Sequence, residues 1–355
     1  MTTPVSKVAV VGAGVVGLSV AHVLKLRHGT SVEIHVIASI IGDGTTSSGA
    51  GGLWEPYRCD GTDPSFVHSL SRASLEHFLS IHDDDTLRTE SGIRKRSAYQ
   101  LLQGTTFEDP FWHDLVKNYQ RLDESDLQKF GIDKNLNVPA RFQCGYSFDT
   151  VVADPKYYLS FLEKELKRQG GVTFTQRTLV RLSELDEEDD YDVIVNCTGL
   201  GAARLVDDGD MRPIRGQVVR VVGSPSSKEM DCCIFFDNDY VIPNVDNIVV
   251  GGTTQVDNWN DKSDKQDTED ILGRVNSVIP DLQSATVVRE WAGLRPWRTV
   301  GLRTELENRG SDLCPIVHNY GHGGSGFTIG WGTAEHVADN FLDDILMKRR
   351  NSGGR

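Results

Sequence analysis

The sequence predicts an α/β fold in two parts: a parallel central sheet flanked by helices, and a second region dominated by alternating strands. Residues Lys7-Val-Ala-Val-Val11 read as a buried strand, and Gly12-Ala-Gly14-Val-Val-Gly17 follows without a break. Leu18 to Leu26 then carries apolar residues at helical spacing. A further strand, Ser31-Val-Glu-Ile-His-Val-Ile37, comes after the His28-Gly29 break and completes a β-α-β unit, the repeating piece of a parallel sheet. A chain of 355 residues exceeds the usual size of one core, so two domains, or one with a large insertion, are expected.

Each later element has its own signal. Asp63-Pro64 opens an amphipathic helix over 64–81, with Val67, Leu70, Phe78 and Ile81 on one side, and the charged Asp83-Asp-Asp85 closes it as a solvated end rather than a metal site. From about 88 to 150 the pattern is irregular, with short strands and polar turns, as an inserted second domain would have. Asp154-Pro155 starts the next helix, the acid capping free N–H groups and the proline preset for the first position; Leu159, Leu162 and Leu166 form its stripe and Gly170-Gly171 ends it. Val172-Thr-Phe174 resumes as a strand. After a solvated acidic loop over 184–190, the apolar run Tyr191 to Gly199 fits a central parallel strand that ends in small residues at a ligand. Beyond about 212, strands such as Gln217 to Val222 and Asn247 to Gly252 return to the second domain, interrupted by a helix near 268–278. A final helix over about 331–347 turns Ala334, Val337, Phe341 and Ile345 inward.

Composition excludes several classes. With 38% hydrophobic and 25% charged residues the chain is of ordinary globular type, and no apolar run is long enough to span a bilayer. The strand pattern begins a few residues after Met1, leaving no room for a signal peptide, so secretion is not expected. A net charge of −14 opposes a nucleic-acid surface. Six cysteines, Cys59, Cys144, Cys197, Cys232, Cys233 and Cys314, include no C-x-x-C pair; they read as reduced packing residues, and neither a zinc site nor a dithiol motif is expected. The glycosylation triplet Asn196-Cys-Thr198 is discounted because it closes an apolar strand.

Gly12-x-Gly14-x-x-Gly17 supplies a tight turn, a close backbone approach to a pyrophosphate and close helix-to-strand packing, with the helix N-terminus aimed at the phosphates. This is a Rossmann-like dinucleotide motif, and it does not separate NAD from FAD. The acid expected on the ribose near the end of the second strand is missing; Ala38-Ser39 occupy its place, leaving Ser39 or Asp43 as candidates. Thr45 to Gly52 is rich in hydroxyls and glycines, and Leu53-Trp54-Glu-Pro-Tyr57 after it is too apolar for a plain linker, which suits backbone packed against a planar ligand.

At this point the chain resembles a known family. Val10 to Ser19, Gly52-Leu-Trp-x-Pro-Tyr57, Asp192 to Gly199, Arg215-Gly-Gln217, Tyr240-Val-Ile-Pro243, Gly293-Leu-Arg-Pro296 and His318-Asn-Tyr-Gly-His-Gly-Gly324 stand in the order seen in the D-amino-acid oxidase family. The resemblance spans nearly the whole chain. It implies a Rossmann-like FAD-binding domain over 1–56, 150–210 and 295–350, and a mixed-sheet substrate-binding domain over 57–149 and 211–294. FAD is then bound noncovalently, and a D-amino acid is oxidised to an imino acid that yields a 2-oxo acid and ammonia, with O2 reduced to hydrogen peroxide.

For the substrate, the resemblance implies that Arg295 grips the carboxylate, Tyr240 adds a phenol to it, and the Gly324 backbone accepts from the amine, with Glu55 and Phe236 beside the pocket. For the cofactor it implies Gly12, Ala13, Gly14, Val15, Val16 and Gly17 at the first turn, then Ser39, Thr45, Thr46, Ser47, Gly52 and Leu53. It adds Val172, Cys197, Thr198, Gly199 and Arg295, and closes with Gly323, Gly324, Ser325, Gly326, Phe327 and Thr328, the last as a donor near the pyrimidine edge. A planar guanidinium suits carboxylate binding because two parallel charge-assisted bonds fix orientation. The flavin carries the hard chemistry, so no side-chain acid or base is required, and His318 and His322 read as structural hydrogen-bonding residues of a tight turn.

Three departures from the family matter. Phe236 stands where vertebrate members carry a lid tyrosine. Glu55 replaces an amide, which disfavours acidic and favours cationic substrates. Thr254 stands where the aspartate-specific branch has an arginine. Neutral D-amino acids, with basic ones as a further class, are therefore expected over D-aspartate; a D-aspartate oxidase and a flavin dehydrogenase that does not use O2 are the competing enzymes. A nicotinamide-binding sensor without turnover is the competitor of another kind. The resemblance leaves a homodimer open, and a peroxisomal or cytoplasmic location is expected, although Ser352-Gly-Gly-Arg355 is no peroxisomal address.

Overall fold

The computed structural model describes residues 5–187, 191–223, 230–310 and 313–351. The end of the acidic loop over 184–190 and the C-terminal Ser352 to Arg355 lie outside the described residues. Two sheets organise the chain. The first has six strands in the order β14-β15-β7-β1-β2-β6. Its members are β1 (Ser6–Val11), β2 (Val32–Ala38), β6 (Val172–Gln176), β7 (Val193–Asn196), β14 (Arg303–Glu307) and β15 (Ile316–Tyr320). All neighbours are parallel except the edge pair β14 and β15.

The apolar runs expected for β1, β2 and β7 are those of a sheet covered on both faces. Helix α1 (Val15–His28), α2 (Pro64–Asp83), α3 (Pro155–Gln169), α4 (Lys265–Val278) and α5 (Gly326–Val337) supply much of that cover and of the second sheet's. The caps predicted for two of them are present: Asp63 accepts from the N–H groups of Ser65 and Phe66, and Asp154 from that of Lys156. Gly170 ends α3 with φ +69°. Asp83 is engaged by Lys95 at 2.7 Å, a surface ion pair.

The second sheet has nine strands. They are β3 (Ile93–Gln103), β4 (Gln120–Asp123), β5 (Phe142–Ala153), β8 (Met211–Val222), β9 (Cys232–Phe236), β10 (Asp239–Pro243), β11 (Ile248–Gly251), β12 (Gln255–Val256) and β13 (Thr286–Arg298). All pairings are antiparallel except β3 with β9. The segment over 88–150 departs from the short irregular strands expected of it, because β3 and β5 are long partners in continuous register up to a bulge at Leu102. The sequence of β3, Ile93-Arg-Lys-Arg-Ser-Ala-Tyr-Gln, hides this: Arg94, Lys95 and Arg96 follow one another on alternate faces, so no apolar run marks the strand.

The closing helix also differs from expectation. It begins at Gly326, five residues before the predicted start, and passes through a π-type turn over Ala338–Leu342 before continuing. Its glycines look like loop in sequence but are packing sites: a Cβ on Gly332 would lie 2.1 Å from the Leu70 carbonyl oxygen, so α5 and α2 touch backbone to backbone. The main core joins both sheets, running from Val8, Val10 and Leu18 through Trp54 and Phe148 to Trp331 and Ala334.

Candidate active site

A cavity of about 580 Å³ lies between the carboxyl end of the first sheet and the face of the second. That position is where open α/β sheets bind their ligands. One wall is the first turn of the chain. Gly12 has φ +118° and donates its N–H to Ile37 at 2.8 Å; a Cβ there would lie 2.3 Å from the Cys197 carbonyl oxygen. Gly14 heads α1 without a side-chain cap and with no acidic residue in the first turn. Gly12, Ala13, Gly14, Val15 and Val16 line the cavity, whereas Gly17 stands behind it, where a Cβ would meet the Gly12 carbonyl at 2.0 Å.

Ser39, Thr45, Thr46, Ser47, Gly52, Leu53, Cys197, Thr198 and Gly199 also line the cavity, and Ser47 Oγ accepts from the Val15 N–H at 3.0 Å. Asp43 does not reach in, since its carboxylate pairs outside with Arg289 at 3.0 Å. Val172 is corrected: it opens the edge strand β6 opposite Ile34, and the residues that reach the cavity there are Arg177, Thr178 and Leu179, which follow the strand. Sequence reasoning missed these three, and also Arg204 and Trp291, which carry no local motif. Trp291 has an indirect signature, because a Cβ on Gly49 would lie 1.8 Å from its indole nitrogen.

Arg295 enters from β13 and Tyr240 from β10. The Arg295 guanidinium donates to the Thr253 carbonyl at 3.1 Å, lies beside the Tyr240 phenol and sits over the Tyr57 ring. Among the described residues no carboxylate pairs with it. Glycines make the room: a Cβ on Gly216 would lie 2.1 Å from Arg295 Nη1, and one on Gly251 would lie 2.3 Å from the Tyr240 ring. Burial raises the Tyr240 phenol above its ordinary range, partly offset by Arg295, so it stays protonated and able to donate.

The N-terminus of α5 closes the opposite side. Gly323, Gly324, Gly326 and Phe327 line the cavity, and the helix starts with no side-chain cap and no acid in its first turn. The Ser325 and Thr328 hydroxyls bond a neighbouring segment of the chain. Thr328 Oγ1 accepts from the Glu55 N–H at 3.1 Å and donates to the Glu55 carbonyl at 2.8 Å. Ser325 Oγ does the same with Tyr57, at 2.7 Å each way. Both hydroxyls are therefore spent fastening the segment from Glu55 to Tyr57 onto the helix.

Phe236 is corrected as well. It is 1% exposed in the separate core below the second sheet, against Phe142, and its neighbours Phe235 and Gln100 line the cavity instead. Alternation along β9 decides this, since adjacent side chains face opposite sides of a strand. Glu55 does line the cavity; burial pushes its carboxyl up to about 7, and no hydrogen bond or ion pair holds that carboxyl among the described residues. His318 lies in β15 rather than in a turn, bonded to Glu307 at 2.9 Å, and the His322 ring bonds Thr333 at 2.9 Å.

The family model for DAO, FAD dependent oxidoreductase, matches residues 7–340. The chain belongs to this family. It is 35% identical to D-aspartate oxidase of Homo sapiens, with 94% of each chain covered. It is 33% identical to D-amino-acid oxidase of Dictyostelium discoideum, over 93% of this chain and 90% of the relative, and 34% identical to D-amino-acid oxidase of Rubrobacter xylanophilus, over 94% and 95%. Glycine oxidase from Bacillus cereus shares the fold, with a TM-score of 0.74 at 19% identity over 96% of this chain and 95% of that one.

FAD is the family's cofactor, and the cavity fits it. Two uncapped helix starts, at Gly14 and Ser325, open on the same space, and such starts favour anionic groups. Asn319 adds a specific sign: it is fully buried, lines the cavity, and neither its Nδ2 nor its Oδ1 has a hydrogen-bond partner. A buried amide so placed awaits a polar ligand. Among the described residues no helix is long and apolar enough to cross a membrane, and no cluster of three metal-ligating side chains occurs.

Proposed function

We propose that this protein catalyses oxidative deamination of D-amino acids with neutral or basic side chains, yielding 2-oxo acids, ammonia and hydrogen peroxide. Arg295 carries the reading: a guanidinium without a carboxylate partner, beside a protonated phenol, in a cavity that belongs to an FAD dependent oxidoreductase. FAD, when bound, supplies the two-electron acceptor and returns the electrons to dioxygen. The residues do the positioning. Arg295 and Tyr240 hold the substrate carboxylate, the Gly324 carbonyl accepts from the amine, and the first turn of α5 favours negative charge arising at its end. Phe235 and Ile242 line the same space and keep water out.

The first-turn residues Gly12 to Val16, with Ser39, Ser47 and Thr198, hold the dinucleotide in this reading, and the first sheet with its helices is the FAD-binding domain. Overall identity does not separate the two substrate classes, since relatives of both names match at 33–35%. Local chemistry favours neutral or basic side chains. Thr254 bonds the Tyr57 hydroxyl at 3.2 Å where a second guanidinium would be needed to hold an acidic side chain, and Glu55 adds a carboxylate. The test is the visible spectrum of the purified protein under anaerobic conditions, with D-alanine, L-alanine and D-aspartate added separately. Bleaching by D-alanine with little or none by D-aspartate is expected; bleaching by D-aspartate alone would overturn the substrate assignment, and a protein that takes up no FAD would overturn the reaction.

A further inference from the structure

We propose that Glu55 makes this cavity selective for D-amino acids whose side chain ends in a cation, an amine or a guanidinium, over neutral side chains of the same length. This inference rests on the reading that the cavity takes a D-amino acid.

Glu55 is held in a fixed place, because both polar groups of its backbone are bonded to Thr328. Its side chain reaches the cavity lining without a partner among the described residues. Glu55 is half-buried, and a carboxylate drawn that far from water without a partner is unfavourable, so nothing in the fold itself accounts for it. The obvious neutralising group is turned elsewhere: Arg295 donates to Thr253 and lies against Tyr57 and Tyr240. Tyr146 of β5 and Cys233 of β9 lie within electrostatic range of Glu55, which puts the carboxyl toward the face of the second sheet.

The cavity thus leaves Arg295 and Glu55 without an ion-pair partner among the described residues, whereas Asp237 and Asp239, which also line it, are paired with Arg141 and Arg274. A ligand bearing a carboxylate at one end and a cation at the other satisfies both. The α-ammonium of the substrate is a poor candidate for Glu55, because it is attached to the carbon that bears the carboxylate and stays at the Arg295 end. The terminus of a long side chain is free to extend along the cavity, whose lining includes the neutral Gln100 and Phe235.

The test uses the FAD-loaded enzyme and compares D-lysine with D-2-aminoheptanoate, and D-arginine with D-citrulline, each pair matched in length. We expect kcat/KM to favour the cationic member by about tenfold or more, chiefly through KM, the scale of one charge-assisted contact in a desolvated site. Glu55→Gln reduces that ratio by a similar factor, and Glu55→Asp keeps part of it. A readout without turnover is calorimetric binding of 6-aminohexanoate against heptanoate, which lack the α-amine and cannot be oxidised in this way; the cation should bind more tightly to the native protein and not to Glu55→Gln. Turnover of D-alanine and D-2-aminoheptanoate with no preference for the cations, or a ratio unmoved by Glu55→Gln, overturns this inference while leaving the oxidase reading intact. Failure of every D-amino acid to bleach the flavin overturns both.

Discussion

Arg295 shows how one side chain depends on its surroundings. Its guanidinium occupies space that only glycine at position 216 leaves open, and apart from the bond to the Thr253 carbonyl it keeps its donors for an incoming anion. Arg295→Ala should lower kcat/KM for any D-amino acid by roughly a hundredfold or more, the range for truncating one member of a desolvated charge pair. A loss smaller than about threefold in steady-state assays would mean that the carboxylate is held elsewhere. Glu55 yields a prediction of a different kind, because burial pushes its carboxyl from 4.5 up to about 7. Between those values the folded protein binds more protons than the unfolded chain, so this residue's contribution is present below about pH 4.5 and is lost as pH rises through 7. Glu55→Gln should therefore raise the melting temperature of the ligand-free protein more at pH 8 than at pH 5, by an amount corresponding to about 3 kcal/mol at most. Equal shifts at the two pH values would show that the carboxylate finds a partner. Arg295, Tyr240 and Gly324 were legible because they sit in motifs, and Glu55 because it departs from one. Phe236 was misread because sequence position gives the strand but not which of its two faces a residue takes.

At the scale of elements, the helix α5 serves the site twice. Its open first turn faces the cavity, and its Ser325 and Thr328 hydroxyls fasten the strip from Glu55 to Tyr57. Thr328→Val keeps the shape and deletes both bonds to Glu55, leaving a buried N–H unsatisfied. It should destabilise the protein by about 1–3 kcal/mol and weaken substrate binding, because Glu55 and Tyr57 lose their fixed place. Thermal melts with KM measured on the same variant decide it; an unchanged KM would show that the strip is held by its flanks alone. The first turn was legible in full, since Gly12 and Gly17 are demanded by backbone contacts that the G-x-G-x-x-G spacing encodes. The start of α5 was not, because its glycines allow close packing on α2 and read locally as loop. The pair β3 and β5 escaped for another reason: a half-exposed strand with consecutive charged residues carries no apolar run, and only its partner's register reveals it.

The whole molecule joins its two sheets through a helical layer in which α1, α2 and α5 meet, and that layer contains buried imidazoles. His77 stacks on Trp331 with ring centres 3.4 Å apart and bonds Tyr158 at 2.9 Å. His22 packs edge-on to Trp331, and neither of its ring nitrogens has a partner. His322 adjoins the cavity itself. Burial holds His22 at about 4 and His77 and His322 at about 3, all below the ordinary 6.5. Each ring is neutral in the fold and gains a proton only on exposure, so the unfolded chain binds more protons between about pH 6.5 and 3, and stability falls as pH falls through that window. The three together amount to several kcal/mol near pH 4, on the order of what a domain's net stability can bear. Acidification should therefore release FAD and unfold the layer in one step, seen as recovery of free-flavin fluorescence together with loss of helical ellipticity. His22→Leu removes one of these protonation sites without deleting a hydrogen bond, since the native imidazole makes none. The variant should match the native protein at pH 7 within about 1 kcal/mol and shift the release midpoint to lower pH, the two outcomes that follow from a buried ring that only acid makes costly. A midpoint that stays in place would move the acid sensitivity to His77 and His322, which flank the same tryptophan-bearing helix.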